Sequence, residues 1–121
     1  MADSSKLSSI FIVELFQCCL TDRKILDLCK KHMSYSFLEN DAQKKIFRFI
    51  KESDDLNNVP PTLGVVAQAF SADSEVLSLL AQIKKTIVAN ENKDNLVISF
   101  EEFIRRSKFV TLFNSVHDQI S

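Results

Sequence analysis

Residues 99–120 run without a proline or a glycine. A helix begun there can continue for roughly 33 Å. Ser99 with Glu102 three residues on is a capping-box pattern, which predicts the start. At ~100° per residue the apolar positions do not keep to one face. Phe100, Phe103 and Ile104 share one side, whereas Phe109, Leu112, Phe113, Val116 and Ile120 cluster on the other. The apolar face therefore turns near Ser107. A helix that buries one stripe into its own domain has no reason to do this. The pattern predicts that the first half packs on the domain and the second half on another surface. Either a further segment of the chain or a partner covers that second half.

The remaining sequence has the same helical period. A first helix is expected over 6–20, apolar on nearly every side and so central in a bundle. Thr21-Asp22 reads as a cap, followed by a helix over 23–33 with Ile25, Leu26, Cys29 and Met33 inward. Asn40 with Gln43 repeats the capping box and opens a helix to about Glu52. Residues 53–61 read as a polar loop closed by Pro60-Pro61, because proline disfavours helix in the residue before it. Short helices are expected over 62–70 and 74–88, the latter with Val76, Leu79, Leu80, Ile83 and Ile87 inward. Residues 89–96 read as a polar connection, with Leu96-Val97-Ile98 briefly extended. Six helices on short links make an all-α domain. Its globular part is expected over 6–98 and its long helix over 99–121.

Composition narrows the chemistry. Gly64 is the only glycine among 121 residues. A phosphate-cradling loop, a dinucleotide fingerprint and a nucleophile elbow each need at least two. No cofactor is therefore expected in this chain. Its net charge of −1 supplies no long-range field for nucleic acid. The odd count of three cysteines, without a C-x-x-C pair, fits a reducing, cytoplasmic setting. The start carries neither a basic cluster nor a long apolar run, so neither a signal peptide nor a membrane span is expected.

Few side chains suggest a site. Cys18, Cys19 and Cys29 are metal ligands by type but small core residues by spacing, since a structural site wants four ligands in paired spacing. His32 and His117 stand far apart in sequence. Asp54-Asp55 and Glu101-Glu102 read as loop and helix-start charges. Lys44, Lys45, Arg48 and Lys51 line the outer face of the third helix. They could meet phosphates or an acidic partner, or simply be solvated. No catalytic pair emerges.

One resemblance follows from these residues. The run Phe37-Leu38-Glu39-Asn40-Asp41-Ala42-Gln43-Lys44-Lys45-Ile46-Phe47-Arg48-Phe49-Ile50, then a polar loop and Pro61-Thr62-Leu63, resembles the N-terminal domain of DnaB-type replicative DNA helicases. The stretch Phe103-Ile104-Arg105-Arg106-Ser107-Lys108-Phe109 looks like that family's first hairpin helix. Asn58-Val59-Pro60-Pro61 is nearer the phage branch. Gln43 stands where the family often has His, and Asp41 where it often has Pro. The resemblance implies a non-catalytic collar domain that self-associates through a helical hairpin and docks primase or a helicase loader, meeting DNA only indirectly. It implies that Phe109, Leu112, Phe113, Val116 and Ile120 are interface anchors. ATP and magnesium would belong to a motor domain downstream. The rival reading is a freestanding helical adaptor or nucleic-acid-binding protein that uses the Lys44, Lys45, Arg48 and Lys51 face.

Overall fold

The computed structural model describes residues 6–120, with side chains through Phe109. It is all-helical, with six α-helices and no strand among the described residues. They are α1 (Ser9–Thr21), α2 (Arg23–His32), α3 (Asp41–Asn57), α4 (Leu63–Ala69), α5 (Ser74–Lys85) and α6 (Asn90–Ile120). A single 3-10 turn, Tyr35–Phe37, links α2 to α3. The chain divides into two compact units, Met1–Val88 and Ala89–Ser121.

In the first unit α1 is central, as its all-round apolar sequence predicts. It packs against α2, α3 and α5. Ile12, Leu15, Phe16 and Cys19 are completely buried, and burying one large apolar side chain contributes roughly 1.5–3 kcal/mol. The Phe16 ring stacks on Phe47 of α3 at 6.1 Å, and Tyr35 meets Phe47 edge-on at 5.9 Å. Leu7 N–H donates to the Phe37 carbonyl at 2.9 Å, which ties the lead into α1 to the 3-10 turn.

Local caps set the boundaries. Ser8 accepts from Phe11 N–H at the start of α1. Asp22 serves two helices. Its own N–H donates to the Cys18 carbonyl, closing α1, and its carboxylate accepts from the Lys24 and Ile25 N–H groups, opening α2. The Asn40–Gln43 capping box forms with one change. Gln43 N–H donates to Asn40 Oδ1 at 3.0 Å, but the Gln43 side chain accepts from Glu39 N–H at 2.7 Å, one residue before the cap. That bond satisfies an amide that is almost wholly buried, at 1% exposure.

Several boundaries differ from the sequence expectation. Helix α1 starts at Ser9 rather than at residue 6, and α2 ends at His32, with Met33 its half-buried cap. Helix α3 does not stop near Glu52 but runs to Asn57, and Asn58 ends it in the left-handed region with φ 62°. Asparagine tolerates that conformation better than most residues. The helix continues because Asp54 is anchored from α2, as described below. Helix α5 ends at Lys85, so Ile87 is not an inward residue of it; its side chain is 90% exposed.

The largest correction concerns the last helix. It begins at Asn90, not Ser99, and spans 31 residues, about 46 Å. Residues 90–98 are therefore neither a loop nor extended. Ser99 is an exposed mid-helix residue, and Glu101 and Glu102 are exposed mid-helix charges rather than helix-start ones. Leu96, Phe100, Phe103 and Ile104 are all buried and follow a helical i, i+4, i+7, i+8 rhythm. The apolar stripe thus starts one turn earlier than Ser99, and the polar residues before it are its exposed flank. Glu91 in the first turn suits the helix dipole.

Candidate functional site

Helix α6 presents the candidate association surface. Its buried stripe ends at Ile104. Five residues on, half a turn around the helix, Phe109 is 69% exposed. The change of face near Ser107 is therefore present as far as the side chains are described. Leu112, Phe113, Val116 and Ile120 continue the second stripe in sequence, and their side chains lie outside the described residues, as does His117. Arg105 and Arg106, one turn before Phe109, are exposed. They share its side of the helix, because residues three and four apart are neighbours.

The basic face of α3 is less basic than its sequence suggests. Lys45 Nζ contacts Asp73 at 2.8 Å, and Arg48 Nε contacts Glu52 at 3.1 Å. Asp73 holds the Lys45 ammonium above its ordinary pKa, and Lys45, with the Val76 N–H, holds Asp73 below the usual carboxylate range. Asp73 is also the cap of α5. Lys44 and Lys51 are half-buried and have no ion-pair partner among the described residues. Lys44, Lys45 and Arg48 line a shallow depression of about 490 Å³ with Tyr35, Asp41 and Glu52, so acids are interleaved with the bases.

The cysteines belong to the core. Cys18, Cys19 and Cys29 are free thiols and at most 1% exposed. A hydrogen bond with Cys29, then burial, pushes the Cys19 thiol well above its ordinary pKa, the opposite of what an activated thiolate needs. Among the described residues, no group of three or more His, Cys, Asp or Glu side chains could hold a metal ion. His32 is half-buried in the last turn of α2, beside Lys30 and Lys31.

The sequence reading missed two features. The first is the ion cluster at Asp54, which is not a loop charge. Its carboxylate is 1% exposed and lies between Arg23, bidentate at 2.8 Å to both oxygens, and Lys30 at 2.7 Å. Lys30 also reaches Asp55 at 2.6 Å, and Arg23 reaches Asp27 at 3.2 Å. The Arg23 guanidinium, aided by Lys30 and opposed by burial, lowers the Asp54 pKa from 3.8 to about 2. The usable signal was the seven-residue spacing of Arg23 and Lys30, which puts both on one face of α2.

The second is a shallow groove of about 500 Å³ along α1 and the end of α5, lined by Ser9, Ile10, Val13, Glu14, Gln82, Thr86 and Ile87. Ile10 is 76% exposed. The hydroxyl of Ser9 donates to Glu39 at 2.6 Å, and that of Thr86 to the Gln82 carbonyl at 2.8 Å. The two hydroxyls are thus satisfied within the fold, and among the described residues Glu14 is the one charged lining residue.

No family model, curated protein or solved structure matches this chain. None of the described helices is long and apolar enough to cross a membrane.

Proposed function

We propose that this chain is a non-catalytic protein–protein association domain, the N-terminal collar of a cytoplasmic, phage-like replicative DNA helicase. The observation that carries the association reading is the exposed Phe109, on the opposite side of α6 from the buried Phe100. A 31-residue helix with apolar residues on two faces needs two apolar surfaces to cover it. The resemblance around residues 37–63 and 103–109 is what supports the collar of a helicase in particular. In that role α6 is the first arm of an association hairpin, and Phe109, Leu112, Phe113, Val116 and Ile120 anchor it. Its partners are other copies of the chain, with primase or a helicase loader docking on the assembly. ATP and magnesium act in the motor domain downstream.

The rival reading as a freestanding nucleic-acid binder has less support, because Lys45 and Arg48 already face acids.

Light scattering across a concentration series tests association. The wild-type chain is expected to form oligomers, and Phe113→Asp to shift it toward monomer. A monomer at every concentration, unaltered by Phe113→Asp, rules the association reading out. The helicase identity has its own test. The open reading frame is expected to continue past Ser121 to a G-x-x-x-x-G-K-[ST] loop, which cradles ATP phosphates. A stop codon directly after Ser121 removes the helicase reading and leaves the association reading standing.

A further inference from the structure

The first unit carries an exposed apolar groove, and the second carries an exposed apolar residue flanked by basic ones. Their chemistry is complementary. Ile10 and Ile87, 76% and 90% exposed, present aliphatic surface in the groove, and Glu14 is its only charge among the described residues. Phe109 is 69% exposed, and Arg105 precedes it by one turn. Arg105 has no ion-pair partner among the described residues.

The spacing matches as well. Glu14 follows Ile10 by four residues on α1, and Phe109 follows Arg105 by four on α6. Each pair spans about one helical turn, roughly 5.4 Å. An α6 laid antiparallel along α1 therefore sets Phe109 over Ile10 and brings Arg105 beside Glu14 in the same register. We propose that the groove along α1 and the end of α5 receives Phe109 of a second copy of this chain, with Glu14 pairing with that copy's Arg105. This rests on the reading of α6 as an association helix and names the surface that its second stripe meets.

Exchanged reciprocally between two copies, this contact closes a dimer; offered to a different neighbour on each side, it is heterologous. Repetition closes a ring or extends a filament. A stripe that met an identical stripe would stop at a dimer.

Sedimentation velocity distinguishes these cases, with circular dichroism confirming that each variant is folded. The wild type is expected to associate as concentration rises, to a dimer by reciprocal exchange or beyond it by repetition. Phe109→Asp and Ile87→Lys are each expected to weaken association about tenfold or more, the usual effect of losing an apolar anchor. Mixed one to one, these two variants should form a heterodimer that grows no further, because one intact stripe meets one intact groove. Glu14→Arg alone should weaken association, and Arg105→Glu added on the same chain should restore it.

If Ile87→Lys and Glu14→Arg associate like the wild type while Phe109→Asp does not, the stripe meets another surface. The groove proposal then fails and the association reading survives. If the wild type is monomeric throughout, both fail.

Discussion

Asp54 is the residue on which the first unit's helix packing most visibly depends. Two cations from α2 converge on one buried carboxylate of α3 across more than twenty residues of sequence. Removing one partner of a buried ion pair typically costs 3–5 kcal/mol. Arg23 keeps 45% of its side-chain surface in water and Lys30 keeps 22%, so both can be partly rehydrated. Asp54→Asn is therefore expected to destabilise the chain by roughly 2–3 kcal/mol in urea unfolding. The pH dependence has a definite sign. A carboxylate whose folded pKa lies below its unfolded value stabilises the fold above the unfolded pKa. For Asp54 that contribution is full above about pH 4 and fades as the pH falls toward about 2. The stability gap between wild type and Asp54→Asn should narrow over that window, and a constant gap would contradict the ion cluster as its cause. Asp54 continues the buried rhythm of Ile46 and Ile50 along α3, whereas Asp55, 54% exposed, falls off it. Asp54 was missed because a helix read as ending near Glu52 leaves no place for that rhythm, and because its cation partners come from α2.

Two helix starts were legible where a side chain closes its own turn, but the start of α1, capped by Ser8, was read three residues early. Asp22 and Asn40 cap the helices that their positions suggest, and the capping-box partner Gln43 is in place. Boundaries were misread where packing overrides local polarity. Residues 90–98 look like a loop because most are polar, yet Leu96 already belongs to the buried stripe. The two readings of α6 make opposite predictions for proline. If the helix began at Ser99, residue 98 would lie outside it and Ile98→Pro would be mild. In a helix from Asn90, residue 98 is interior, and proline removes a hydrogen bond and clashes with the preceding turn, at about 3 kcal/mol. Ile98 is 51% exposed, so little packing is lost at the same time. Ile98→Pro is expected to lower helicity and melting temperature clearly. Asn90→Pro, at the first helical residue, should be tolerated. Equal effects from the two substitutions would argue against a helix through residues 90–98.

For the whole molecule, the all-α class followed from periodicity alone, since nearly every apolar run has the helical spacing. The candidate surface was legible in part. Phe109 was placed on a second face by counting residues, whereas the groove at Ile10 and Ile87 was not, because Ile87 continues the apolar rhythm of α5 after the helix itself has ended. Charge allows a final test at this scale. The chain has 15 Lys and Arg against 16 Asp and Glu, so any attraction for a polyanion must come from a local excess of cations. The best local candidate has Lys45 facing Asp73 and Arg48 facing Glu52, which leaves Lys44 and Lys51. Two phosphate contacts give a shallow salt dependence, with a slope near −2 in log–log terms, and little affinity. Fluorescence anisotropy with a labelled duplex in about 50 mM salt is therefore expected to show no saturable binding. Reversing the charges of Lys44 and Lys51 should change nothing. Tight binding that steepens with falling salt and disappears on that reversal would restore the nucleic-acid reading of this face.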